Sequence, residues 1–267
     1  MGDAPVHRLG VMGWPVAHSR SPAMQNAALA TLGLGTAWRY ELLPVDPEGF
    51  AAEVAGLPAR GFVGVNVTIP HKEAALALAT DPSPAARAIG AANTLTFHPD
   101  GAIEADNTDA PGLLAALGAP VGGRTALVVG AGGSARAAVW ALWNAGAAEV
   151  GVWNRTAERA LELARDVGGT AVPEPRPADI LVHCTSIGLD GADAAEALGL
   201  DVAAYGTVVD LVYTAGGTPL LHRAAAAGRP TVDGLEMLVR QGALSLEHWT
   251  GRPAPLEAMR AAAAAAG

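Results

Sequence analysis

The stretch RTALVVGAGGSARAAVW, from Arg124 to Trp140, passes from an apolar run of strand length through a glycine-rich turn into a helical run of small and apolar residues. Strand, tight turn and helix in that order build an anion site. Glycines let the backbone turn sharply and approach a pyrophosphate, and the helix N-terminus offers free N–H groups with a partial positive charge. Gly130, Gly132 and Ala135 fit the G-x-G-x-x-A form of the dinucleotide fingerprint, in which the last small residue packs helix against strand. The plain alternative is an ordinary βα turn. The flanking strand at 125–129 and the helix that follows favour the dinucleotide reading.

Downstream, EVGVWN at 149–154 reads as the second strand of the same unit, followed by Arg155-Thr156 and a helix over 157–169. The end of this strand decides cofactor choice, because an Asp or Glu there would accept the ribose 2′-hydroxyl of NAD. Asn154, Arg155 and Thr156 instead offer donors, and Arg159 follows one turn on. Arginine pairs well with phosphate, so a 2′-phosphate and hence NADP is expected. A solvated helix face is the plain reading of Arg159. Further strands are expected at 178–186 and 207–213, then a helix over Thr218–Ala227, a short strand into Gly234, and a last helix from Leu235 to Trp249 that carries Gln241.

Upstream, HRLGVMG at 7–13 reads as a first strand, and the hydroxyl-rich loop 14–22 follows it. Pro22 suits position N1, which makes Ser21 the expected N-cap of a helix from Ala23 to Gly33. Alternatively Ser19 and Ser21 present hydroxyls to a polar ligand. A strand at 37–45, a helix over Pro47–Leu57 and a buried-type strand at 61–68 continue the alternation, which implies βαβ units and a largely parallel sheet. Ligands bind beyond the carboxyl ends of such strands, where Asn66, Thr68 and Lys72 fall. Lys72 is the only lysine among 17 basic residues. That marks a position needing a compact, titratable amine, against the plain reading of a solvated helix start. After a Pro-rich break at 82–84 and a short helix, 92–109 reads as a hairpin about Pro99-Asp100-Gly101. It ends at Asp109, which could simply cap the helix running to Leu117, and a domain junction is expected near 106.

The bulk properties agree. At 267 residues the chain can bury one or two cores, and it is 51% hydrophobic. A net charge of −9 argues against a nucleic-acid partner. Cys184 is the lone cysteine, so a reducing, cytoplasmic setting is expected with no internal disulfide. No secretory signal is read at the N-terminus, and no apolar run approaches the ~20 residues of a membrane span. The alanines 261–266 read as a short frayed helix end.

Taken together, the chain resembles the shikimate dehydrogenase family over nearly its whole length. The resemblance rests on Gly13-Trp14-Pro15, His18 to Pro22 with Asn26, Asn66 to Lys72, Gly90 to Thr94, and Asn107-Thr108-Asp109. It continues through the glycine turn, Asn154 to Thr156, Asp210 to Tyr213, Thr218 to Leu221, and Gly234 to Gly251. It implies an α/β protein of two domains: a mixed α/β substrate domain over 1–105, on which 236–267 packs back, and a Rossmann-type NADP domain over 106–235. The implied reaction is reversible NADPH-dependent reduction of 3-dehydroshikimate to shikimate, on the route to chorismate and the aromatic amino acids. Matching positions imply Lys72 and Asp109 as the catalytic pair, expected to meet in a cleft. They imply Ser19, Ser21, Asn66, Thr68, Asn93, Tyr213 and Gln241 for the substrate. For the cofactor they imply Gly130, Ala131, Gly132, Gly133, Ser134, Ala135, Asn154, Arg155, Thr156, Leu211 and Gly234, to which the residue-level reading adds Arg159. No metal is expected, and the protein is a monomer or homodimer. The chain departs from the pattern at Gln25, where histidine is usual, at Ala105, where glycine is usual, and at Ala215, where proline is common. Two other readings stand beside this one: a relative acting on quinate or an amino-substituted analogue, and a non-catalytic sensor of shikimate or NADP.

Overall fold

The structure, a computed structural model, describes residues 6–266. Its strands are β1 His7–Gly13, β2 Trp38–Pro44, β3 Phe62–Val67, β4 Asp81–Pro82, β5 Thr94–Phe97, β6 Ile103–Asp106, β7 Thr125–Val129, β8 Glu149–Trp153, β9 Thr170–Ala171, β10 Ala178–His183, β11 Tyr205–Asp210 and β12 Thr231–Val232. The α-helices are α1 Ser21–Thr31, α2 Phe50–Gly56, α3 Lys72–Leu78, α4 Pro84–Ile89, α5 Asp109–Leu117, α6 Gly133–Asn144, α7 Ala157–Val167, α8 Ala194–Leu198, α9 Pro219–Ala226, α10 Gly234–Thr250 and α11 Leu256–Ala265. The chain divides into two compact units, one running to Thr108 and resuming at Val239, the other spanning Asp109–Leu238.

The first unit holds a mixed sheet in the order β2-β1-β3-β5-β6-β4. β1 pairs parallel with β2 and β3, and the expected hairpin forms as the antiparallel pair β5/β6. That hairpin, with the antiparallel β3/β5 pair, makes this sheet less parallel than the sequence led us to expect. The Pro-rich break at 82–84 also carries a strand: Asp81–Pro82 pairs with β6 at the edge, the one place where a residue without an N–H does not interrupt a ladder. One face of the sheet buries Met12, Phe50, Phe62, Val65, Val67 and Leu95. Alanines 261–265 close α11, which packs on α1, and Ala263 is fully buried.

The second unit is an all-parallel sheet in the order β12-β11-β10-β7-β8-β9. The alternation along its strands explains why it is covered on both faces. Ala126, Val128, Val150, Val152, Ile180 and Val182 enter one core with Ala135, Val139 and Leu142 of α6. The intervening Leu127, Val129, Leu181 and Val208 enter the other with Leu220, Leu221 and Ala224 of α9. Strand order reverses between β7 and β10, so the ligand crevice of this doubly wound sheet lies beyond the carboxyl ends of those two strands.

Candidate functional site

In the second unit, β7 ends at Gly130, whose φ of +119° suits glycine alone. A Cβ there would lie 3.2 Å from the backbone carbonyl of Cys184, just past β10, so the turn closes against the neighbouring strand end. Gly132 precedes α6 as its N-cap and has no side chain to satisfy the free N–H groups. A Cβ on Gly132 would meet nothing within 4 Å, which leaves open space before the helix N-terminus. Gly133 and Ser134 open α6, half-buried like Ala131, and Ala135 is fully buried against the sheet. A glycine turn that opens onto a helix N-terminus has the shape that can take a pyrophosphate.

The end of β8 supplies the second element. Asn154 Nδ2 donates to the Thr156 carbonyl at 2.9 Å and fixes the turn into α7. Arg155, Thr156 and Arg159 are exposed, and neither guanidinium has a hydrogen-bond or ion-pair partner among the described residues. Two guanidinium groups without side-chain partners, and no carboxylate at positions 154–156 where the strand ends, fit a 2′-phosphate better than a bare ribose. Leu211 and Tyr213 follow β11 and are half-buried. Gly234 packs so closely that a Cβ would meet the Leu211 carbonyl oxygen at 2.6 Å.

In the first unit, the loop from β1 into α1 departs from the expected capping. Ser21 is already helical and buried; the cap position is Arg20, and the Ser19 hydroxyl accepts the Ser21 N–H at 3.3 Å. Pro22 therefore sits one position deeper than N1, and the loop is held instead by the buried Arg20, which donates to the Ala263 carbonyl. The departure at Gln25 has a structural role: its Nε2 donates to the Gly242 carbonyl at 2.9 Å, tying α1 to α10. Thr68, half-buried, donates its N–H to the Met12 carbonyl, and its methyl occupies the space a Cβ on Gly13 would need. His71 is buried, stacked on Phe50 and donating from Nε2 to the Val45 carbonyl at 2.7 Å. Lys72 is the first residue of α3, as a helix-start reading expects, but only 8% exposed, so it is no solvated position. Its carbonyl accepts the Ala92 N–H, which draws the Gly90–Asn93 segment onto the same edge.

Asn93 is the hub of this edge. Its Nδ2 donates to Thr108 Oγ1 at 2.9 Å and to Gln241 Oε1 at 3.1 Å, while its Oδ1 accepts the Thr108 N–H. Asn66 Oδ1 accepts the Tyr40 hydroxyl at 2.8 Å, and Asn66 Nδ2 donates to Ser245 Oγ at 2.9 Å. Ser245 Oγ also lies 2.8 Å from Thr94 Oγ1 and 3.1 Å from Thr108 Oγ1. The structure thus brings Asn66, Asn93 and Gln241 into one buried amide and hydroxyl network. Tyr40, Thr94, Thr108 and Ser245 belong to it and were not singled out from sequence. Ser245 had a readable signal, since it lies four residues beyond Gln241 on one helix face. Tyr40 did not, because strand alternation gives no reason to distinguish a core tyrosine. Asp109 opens α5 and is buried, and its charge complements the helix N-terminus.

Family models match the chain in three segments. The substrate binding domain of shikimate dehydrogenase matches 11–95, the shikimate/quinate 5-dehydrogenase model 115–185, and the shikimate 5'-dehydrogenase C-terminal domain 234–264. A relative named shikimate dehydrogenase (NADP(+)) from Paramagnetospirillum magneticum is 44% identical over 94% of this chain and 96% of its own length. The crystal structure of Thermus thermophilus shikimate 5-dehydrogenase in complex with NADP(H) and shikimate superposes with a TM-score of 0.88. It is 43% identical and covers 98% of this chain and all of that one. A 5-ketofructose reductase of a Gluconobacter species, 33% identical, superposes at 0.82 over 98% of this chain and 99% of its own.

Proposed function

The chain belongs to the shikimate dehydrogenase family, and from that premise we propose that it catalyses the reversible NADPH-dependent reduction of 3-dehydroshikimate to shikimate. It is an NADP-dependent oxidoreductase acting on a CH–OH group. The observation that carries this reading is its near-full-length likeness to a structure holding both NADP(H) and shikimate.

The roles of individual residues follow from chemistry. Gly130, Ala131, Gly132, Gly133, Ser134 and Ala135 would hold the pyrophosphate, Asn154, Arg155, Thr156 and Arg159 the 2′-phosphate, and Leu211 and Gly234 the nicotinamide half. When bound, NADPH supplies the hydride. The chain must orient the ring and deliver a proton to the forming alcohol oxygen. Lys72 and Asp109 are the proton-transfer pair: an amine can give up a proton that a guanidinium would keep, and a carboxylate orients and balances it. A ring bearing a carboxylate and several hydroxyls suits Ser19, Ser21, Asn66, Thr68, Asn93, Tyr213 and Gln241 better than an apolar pocket would. We place the substrate domain at 1–105 with 236–267 and the NADP domain at 106–235. A cytoplasmic location, where NADPH is drawn on for synthesis, accords with the single cysteine. Among the described residues no helix is long and apolar enough to cross a membrane.

The test is oxidation of shikimate, quinate and an amino analogue with NADP+ or NAD+. The highest kcat/KM is expected for shikimate with NADP+. A preference for quinate with NAD+ would reassign both substrate and cofactor, and ligand binding without turnover would make the chain a sensor.

A further inference from the structure

Beneath the carboxyl ends of β10 and β11 lies a polar cluster that the reading above does not use. His183 and Asp210 end these two parallel strands in register, and both are fully buried. His183 Nδ1 lies 2.8 Å from Asp210 Oδ1, and His183 Nε2 lies 2.6 Å from Thr185 Oγ1. The same Asp210 Oδ1 accepts the Val212 N–H at 3.0 Å, and Oδ2 accepts the Thr218 hydroxyl at 2.6 Å. Thr218 in turn accepts the Leu221 N–H as the cap of α9, and Thr185 accepts the Ile187 N–H.

One protonation pattern satisfies the whole chain of bonds. With the imidazole protonated at Nδ1, it donates to the Asp210 carboxylate, and the Thr185 hydroxyl donates to Nε2. The backbone N–H groups of Ile187, Val212 and Leu221 then each find a hydroxyl or carboxylate oxygen. Two loop segments and the start of α9, all beyond the carboxyl edge of the sheet, are thereby fixed to one buried pair. One of them carries Leu211 and Tyr213. It is pinned from both sides, by Asp210 at Val212 N–H and by the His183 carbonyl at Leu211 N–H, 3.0 Å.

We infer that His183 is a positioning residue for the nicotinamide half of the cofactor site, acting through Asp210 on the Leu211–Tyr213 segment. The inference rests on the dinucleotide assignment made under Proposed function. Having no exposed atom, His183 cannot act by touching cofactor or substrate, so its effect must pass through the carboxylate it holds. A buried carboxylate deprived of that donor is left one hydrogen bond short and can regain one only by rearranging its bonds to Val212 and Thr218.

Two substitutions separate this role from simple filling of space. His183→Asn places an amide N–H where Nδ1–H stood and keeps the bond to Asp210. His183→Gln carries its amide to the Nε2 position and gives that bond up. Binding of NADPH is read by fluorescence titration and turnover by steady-state kinetics. His183→Gln is expected to raise the NADPH Kd and the KM for NADP+ roughly tenfold, with the shikimate KM within about threefold of wild type. His183→Asn is expected to stay near wild type in all three. Equal losses in both variants, or no loss in either, overturn the inference. Should His183→Gln not fold, Asp210→Asn, which turns an N–H toward one of its present donors, reads the same segment, and an unchanged NADPH Kd there overturns it too. A wild-type chain that binds NADPH without oxidising shikimate refutes the substrate reading alone, because the Kd pattern still reports on His183. Binding of neither dinucleotide refutes both.

Discussion

The Asn66 amide donates to the Ser245 hydroxyl at 2.9 Å, across 179 positions of sequence. This bond fastens α10 to the end of β3, at the strand edge where Lys72 opens the next helix. Trp249, one turn further along α10, donates to the Leu95 carbonyl and fills the space a side chain on Gly64 would need. The late return of the chain to its first unit therefore sets the orientation of candidate substrate groups as well as the core.

Ser245→Ala deletes one oxygen from a fully buried hub, leaving the Asn66 amide short of an acceptor and the two threonine hydroxyls short of a partner. The expected result is a loss of stability of about 1–3 kcal/mol and a raised KM for shikimate, with the KM for NADP+ unchanged. Denaturant melts and two-substrate kinetics check it; a cofactor KM that moves as much as the substrate KM would contradict the assignment.

Lys72→Ala should lower kcat by ~10²-fold or more while NADPH binding survives. Lys72→Arg should not restore turnover, because a guanidinium keeps its charge yet cannot release its proton. Wild-type kcat in a correctly folded alanine variant removes the lysine from the chemistry.

Arg155→Ala should weaken NADPH by about tenfold and leave NADH nearly unaffected, since a guanidinium–phosphate bond is lost only where the phosphate exists. Equal losses for the two nucleotides would show that Arg155 does not read the 2′-phosphate.

Gly130→Ala forces a side chain into left-handed backbone at φ +119° and against the Cys184 carbonyl. A destabilisation of about 1–3 kcal/mol is expected, together with weaker dinucleotide binding. A melting temperature and NADPH affinity equal to wild type would mean the turn relaxes at no cost.

At the rim of the first sheet, Arg8 grips Glu41 with both ends of its fork, at 2.8 and 3.0 Å, and this hydrogen bonding holds the Glu41 carboxyl below its ordinary value of 4.5. A lowered folded-state pKa adds stability above the unfolded value, and that stability is lost as pH falls through the folded one. The stability gap between wild type and Glu41→Gln should thus be present at pH 7, under about 1 kcal/mol for so exposed a pair, and should close in acid. A gap that widens on acidification would reverse the sign.

Much of this protein was legible in the chain because the signals are local. The strand before Gly130 and the helix after it are properties of adjacent residues, as are the alternation that puts Val128 and Leu127 on opposite faces and the hairpin about Asp100-Gly101. The two-residue strands β4 and β9 were not legible, since they are defined only by the partner each finds. The capping error at Ser21 has the same origin: which serine serves the helix depends on where the buried Arg20 is drawn, and that is set by the Ala263 carbonyl, 243 residues away.

What the sequence by itself determined is the order of the main elements, the glycine turn before α6, the absence of an acidic residue at 154–156, and the placement of the only lysine at a helix start. Each depends on backbone conformation and on neighbours a few residues apart. The tertiary structure alone decided which polar groups are shared: that Lys72 is buried, that Ser245 and Tyr40 complete the Asn66 network, and that His183 meets Asp210. Hydrogen bonds between distant segments form only once hydrophobic burial has brought those segments together, and a desolvated polar atom must then take whichever partner the packing supplies.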